Sequence, residues 1–163
     1  MSTKRLTRLS MLLAISIVLA IVEAFLPAIP IPGVKLGLAN VITLIILVVY
    51  DKKDAFIVLL LRVLLVSLLR GTFLNISFYM SLSGGIVAYT FMLITMYVKK
   101  FSLVGVSISG AFGHSIGQIF MAIILLSTPA LVYYFPYILL LSITTGVLTG
   151  FIAIYGTKIM KSI

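Results

Sequence analysis

The chain has 163 residues, of which 63% are hydrophobic and only 9% charged, and its net charge is +9. Ordinary soluble domains carry about 25% charged residues, so these few could not coat a soluble fold of this size; the class is an integral membrane protein, with one domain over residues 1–163. There is no cysteine, which excludes disulfides and thiolate metal sites, and the basic residues sit between apolar runs, which ties them to membrane orientation rather than to nucleic acid.

A helix needs about 20 apolar residues to cross the hydrocarbon core. Six segments meet or approach that length: 7–26, 36–50, 55–70, 78–98, 102–127 and 131–157, the second and third being short. The fold expected is therefore all-α, with six transmembrane helices. The first run follows Lys4, Arg5 and Arg8, as a signal peptide would. Its apolar stretch continues to Leu26 without a small-residue cleavage site, so it reads as a retained span. The stretch IPIPGVKLGLAN, residues 29–40, then breaks the apolar sequence. Pro30 and Pro32 have fixed φ and no N–H, so this backbone is not helical throughout. Non-helical backbone at membrane depth is tolerated where it is buried in protein or lines a cavity. The stretch is thus a lid or pocket wall, or else a plain Pro-rich turn. Further breaks fall at Asp51–Asp54, Gly71–Ser77, Lys99–Phe101 and Thr128–Ala130.

With the N-terminus inside, nine of the twelve basic residues collect on the cytoplasmic side: Lys4, Arg5, Arg8, Lys52, Lys53, Lys99, Lys100, Lys158 and Lys161. Lys35 and Arg70 fall at the outer side and Arg62 within the third span. By the positive-inside rule both termini are expected to be cytoplasmic.

An ionisable side chain at the centre of a membrane helix costs about 2.5–3.5 kcal/mol on insertion scales, so it faces the bundle interior or a cavity. Arg62 lies about 10 Å from the cytoplasmic edge by helical rise, and Arg70 is at the outer end of the same span. Glu23 is near the outer end of the first span, Asn40 one turn into the second, and Asn75 in the outer loop after Arg70. His114 and Gln118 occupy the middle and outer half of the fifth. These groups cluster in the outer half, as the lining of an outward-facing pocket would. Lys35, Arg62 and Arg70, with His114, outnumber the single carboxylate Glu23. That excess suits a ligand bearing a carboxylate or phosphate, which arginine forks bind in bidentate fashion. Structural roles are the alternative. Arg62 could pair with Glu23, Lys35 and Arg70 could snorkel to headgroups, and His114 could be a hydrogen-bonded packing residue.

In GAFGHSIGQ, residues 110–118, Gly110, His114 and Gln118 recur every four residues along one helix face. Gly113 and Gly117 form a small-residue ridge beside it that lets a neighbouring helix approach closely, and Gly146 and Gly150 form another in the sixth span. The first span carries Ser10-x-x-x-Ala14 and Ser16-x-x-x-Ala20-x-x-x-Ala24. These are either internal packing or a docking strip for another membrane subunit.

Several chemistries have no footing. There is no G-x-x-x-x-G-K-[ST] phosphate loop and no G-x-S-x-G elbow. The acidic residues are only Glu23, Asp51 and Asp54, and the two aspartates read as solvated turn charges, so a carboxylate-rich Mg²⁺ site cannot be assembled. One histidine does not make a multi-histidine metal site. Neither catalysis, nor a resident metal, nor a cofactor is expected.

Together PGVKLGLAN (32–40), LLRVLL (60–65), RGTFLN (70–75), SLSGG (81–85) and GVSISGAFGHSIGQ (105–118) resemble a small membrane family labelled heptaprenyl diphosphate synthase component I, or Gx transporter. The resemblance runs over roughly residues 10–155. That family is similar to the substrate-binding S components of energy-coupling factor (ECF) transporters, six-helix proteins that bind vitamins or similar precursors. The resemblance implies a multi-pass protein of the bacterial cell (plasma) membrane that takes up a small anionic substrate, isoprenoid or quinone related. It implies as partners a transmembrane coupling subunit and two cytoplasmic ATPase subunits, with no nucleic acid. The alternatives are a non-catalytic membrane subunit of a heptaprenyl diphosphate synthase, or a solitary small transporter. S components dock through an Ala-x-x-x-Ala-type strip in helix one, which Ala20 and Ala24 match literally and Ser10/Ala14 and Ser16/Ala20 loosely. Prenyl-elongating synthases carry paired aspartate-rich Mg²⁺ motifs, and this sequence has none.

Overall fold

The structure, a computed structural model, describes residues 3–25, 37–98 and 100–162. It contains six α-helices: α1 (Thr3–Glu23), α2 (Asn40–Val49), α3 (Lys52–Leu69), α4 (Ile76–Tyr97), α5 (Leu103–Leu126) and α6 (Phe135–Ser162). A 3-10 helix, Pro129–Tyr134, leads into α6. No strand occurs among the described residues. Four helices, namely α1, α4, α5 and the 3-10 helix with α6, are long and apolar enough to cross a membrane. The chain is an all-helical membrane protein.

The second span departs from the sequence reading; the third, expected over 55–70, falls on α3, which is not among those four. α3 has 18 residues, but Lys52, Lys53 and Asp54 occupy its first turn and Arg62 its middle. In place of a span over 36–50, α2 has ten residues. At 1.5 Å per residue it is about 15 Å long, half of a hydrocarbon core of about 30 Å. Its start is set by Gly37, whose φ of +80° is left-handed and suits a residue without Cβ. The chain turns at 38–39 before the helix begins. Every residue from Asn40 to Leu47 is buried, as an apolar circumference requires. α2 is a plug among the other five helices, all of which touch it.

α5 packs between α4 and α6. A Cβ at Gly117 would lie 2.7 Å from the Ser83 carbonyl oxygen of α4, and one at Gly113 3.0 Å from that of Val87. On the other side, a Cβ at Gly146 would lie 2.6 Å from the Ile108 Cα and one at Gly150 2.9 Å from the Val104 Cα. Both ridges thus bring helices into backbone contact, the kind of close packing that holds helices together in lipid. Two hydrogen bonds across the ridges add to it: Ser83 Oγ donates to the Gly117 carbonyl at 2.9 Å, and the Ser107 and Thr149 hydroxyls meet at 2.9 Å.

α1 lies against α3 and α2 and is fastened at both ends. At its start the Arg5 guanidinium donates to Asp51 and Asp54 and sits 5.8 Å over the Tyr50 ring. Asp51 and Asp54 are therefore not merely solvated turn charges. At its end the Glu23 carboxylate accepts the backbone N–H of Gly37.

Candidate functional site

Where α1 ends and α2 begins, residues from α1 to α5 line a cavity of about 490 Å³, counting the space at its mouth. The polar groups of the wall come from five elements: Glu23, Asn40, Arg62 with Ser67, Ser81, and His114.

Arg62 is 5% exposed, within the otherwise apolar stretch 55–66 of α3. Its Nη2 donates to Asn40 Oδ1 at 3.1 Å. A guanidinium only donates, so this bond fixes the Asn40 amide with its oxygen toward Arg62 and its NH₂ away. Two donors then remain without a partner among the described residues, Arg62 Nη1 and Asn40 Nδ2. A buried donor left so costs about 1–3 kcal/mol until an acceptor reaches it. Among the described residues, the wall is thus short of acceptors where these groups stand.

The His114 ring fits a slot between two glycines. A Cβ at Gly84 would lie 2.9 Å from its Cε1 and Nδ1, and one at Gly37 3.1 Å from its Cδ2. The ring belongs to the wall, and α4 and the turn before α2 hold it there.

A family model for heptaprenyl diphosphate synthase component I matches residues 12–155. The chain belongs to that family. The match contains every described residue of the cavity wall, from Ala20 to His114. No curated protein and no solved structure matches the chain.

In this member of the heptaprenyl diphosphate synthase component I family, five of the polar residues singled out in the sequence share the cavity: Glu23, Asn40, Arg62, Arg70 and His114. Arg70 is exposed and follows the end of α3. Three others do not join them. Asn75 is exposed and caps α4, its side-chain oxygen accepting the Ile76 N–H at 2.6 Å. Gln118 is fully buried against Gly84, one turn beyond His114 and off the cavity wall. Lys35 lies outside the described residues, as do Pro30, Pro32 and Gly33.

The first helix divides likewise. Ser10 and Ala14 face outward. Ser16 is 1% exposed, bonded to the Leu13 carbonyl, and Ala20 lines the cavity. Six positions rotate a helix by 600°, which sets the two small-residue pairs about 120° apart. Ser16 thus faces inward, Ala20 is half-buried, and Ala24 is half-buried in the turn after α1.

The sequence reading missed the hydroxyls of Ser67, Ser77 and Ser81 in the wall. Ser67 Oγ donates to the Leu64 carbonyl and Ser81 Oγ to that of Ser77, each at 2.7 Å, as serines in any membrane helix do. Their only signal was nearness to Arg70.

Proposed function

We propose that this membrane protein is the substrate-binding component of an ECF-type uptake transporter. It captures a small anionic organic precursor, isoprenoid or quinone related, from outside. A transmembrane coupling subunit and two cytoplasmic ATPase subunits supply the energy, and the chain itself is not an enzyme. The observation that carries this reading is a pair of buried donors without a partner among the described residues, Arg62 Nη1 and Asn40 Nδ2, in the wall of a cavity at one end of the bundle. Such donors favour an anionic acceptor. With the nine basic residues inside, that end of the bundle faces outward, in the plasma membrane of a bacterial cell. Ser10 and Ala14 remain as the outward strip of α1 on which the coupling subunit docks.

The name of the family supports a second reading, a non-catalytic membrane subunit of a heptaprenyl diphosphate synthase. Affinity purification in mild detergent separates the two. Recovery of a coupling subunit with ATPases is expected; recovery of a soluble prenyltransferase instead supports the second reading, and recovery of neither supports a solitary transporter. Ala14→Leu should abolish uptake and leave substrate binding intact, and loss of both together would assign Ala14 to internal packing.

A further inference from the structure

A second cavity, of about 220 Å³ counting the space at its mouth, adjoins the first. Gly37 and Asn40 belong to both walls. From His114 the second wall continues along α5 toward its start, to Gly110 and, a turn further, Ser107. Thr149 of α6 lines it as well, and Leu44 and Met92 are among its apolar members. Among the described residues this wall holds no ionisable group. A charge placed there would have no counter-charge beside it, which makes a buried ion costly; the occupant it suits is neutral.

The polar groups of the wall can be assigned their hydrogens. Ser107 and Thr149 are buried, and their hydroxyls meet at 2.9 Å. Thr149 Oγ1 also donates to the Thr145 carbonyl at 2.8 Å, with the Gly146 carbonyl at 3.3 Å. A hydroxyl has one hydrogen and two lone pairs. With the Thr149 hydrogen spent on its own helix, the Ser107 hydrogen goes to Thr149 Oγ1. Ser107 then has lone pairs to offer and no hydrogen. Asn40 brings the opposite. Its Oδ1 is held by Arg62 at 3.1 Å, and its Nδ2 donor has no partner among the described residues. One small cavity is thus bordered by a buried donor on α2 and a buried acceptor on α5. Water both donates and accepts, and buried waters settle where polar groups are otherwise unsatisfied.

We infer that the second cavity holds ordered water, which accepts from Asn40 Nδ2 and donates to Ser107 Oγ. Water on Nδ2 fixes the amide, so that Oδ1 stays on Arg62. Resting on the uptake reading above, Ser107 is therefore a positioning residue: it acts through water and Asn40 on the guanidinium that receives the anion. The chain has two asparagines, Asn40 and Asn75, so isotope labelling of asparagine alone marks two side-chain amides. The exposed Asn75 is the internal control. Cross-relaxation between these amides and water, measured by NMR on the full chain in detergent, should show a long-lived contact at Asn40 and only fast exchange at Asn75. Ser107→Ala should remove the Asn40 contact and weaken benzoate binding about three- to tenfold, the scale of one neutral hydrogen bond. Ser107→Thr keeps the hydroxyl and should retain both. Absence of the long-lived contact in the wild-type chain overturns the inference, as does a contact unchanged in a Ser107→Ala protein that elutes as wild type. Loss of the contact with benzoate affinity intact overturns the role given to Ser107. Failure of the wild-type chain to bind either benzoate or phenyl phosphate overturns that role together with the reading beneath it, and leaves the water site to the NMR measurement.

Discussion

Gly84→Ala places a methyl group in the slot that holds His114. The new Cβ would lie 2.8 Å from Gln118 Cγ and 2.9 Å from His114 Cε1 and Nδ1. Comfortable carbon contacts fall at about 3.5–4.0 Å, so the neighbours must yield by roughly 1 Å. The imidazole has little room to retreat, because Gly37 closes its other side. Overpacking of this kind costs about 1–3 kcal/mol. Gly85 supplies the internal control, one position along the same helix. A Cβ there meets only the Leu59 side chain, at 3.4–3.6 Å, and the gain in helix propensity is the same for both substitutions. Thermal unfolding of detergent-purified protein, followed by helical circular dichroism, reads the difference. Gly84→Ala should melt below wild type and bind ligand more weakly; Gly85→Ala should melt at or above wild type. Equal midpoints for the two variants would refute the glycine slot and, with it, the fixed position of the His114 ring in the cavity wall.

Gly146→Leu should be more severe, since its Cβ would lie 2.6 Å from the Ile108 Cα and backbone has no rotamer to move into; failure to recover monodisperse protein is the expected outcome, and a normal elution profile would contradict the α5–α6 contact. Arg62→Gln should weaken anion binding by about 1.5–3 kcal/mol, the scale of a charge-assisted hydrogen bond, in a titration on protein that still elutes as wild type. The double substitution Asp51→Asn and Asp54→Asn removes the anchors of Arg5. It should lower the thermal midpoint at low ionic strength, and the deficit should fade at high salt; a salt-independent deficit would assign the contact to packing. For orientation, Lys52→Cys and Lys100→Cys should be shielded from an impermeant thiol reagent in intact cells and Thr128→Cys labelled, against a background that has no native cysteine. The reverse pattern would turn the cavity toward the cytoplasm.

The long helices and their glycine ridges were readable because lipid imposes length and composition on a span, and close approach requires missing side chains at a four-residue repeat. Gly113, Gly117, Gly146 and Gly150 all meet neighbouring backbone. The extent of α2 was not readable, because a hydropathy pattern counts Leu36 and Leu38 toward a span and does not register the left-handed turn at Gly37. The gathering of Asn40, Arg62, Arg70 and His114 around one cavity was legible as polar groups in apolar spans: Asn40 and Arg70 stand at helix ends, and Arg62 and His114 in the middle of theirs. Asn75 was read with them, but a residue just before a helix has a local partner at hand, and its own helix claimed the side chain. Whether Ser10 or Ser16 faces outward depends on how α1 is rotated against α3, which a single helix does not encode. The partners of Arg5 stand 46 and 49 positions away, so nothing in the neighbouring sequence marks them.

The enclosure of α2 bears on how the chain is made. Ile45 reaches Gly156 in α6, more than a hundred positions later. At roughly 5–20 residues per second, translation leaves α2 without that cover for about 5–20 s. Over that interval a ten-residue helix, too short to stand across the bilayer by itself, must shelter beside the first helices or the insertion machinery. α6 is thus the helix that closes over the Ile45 side of α2. A nascent chain released before α6 would display the α2 surface that Ile45 presents.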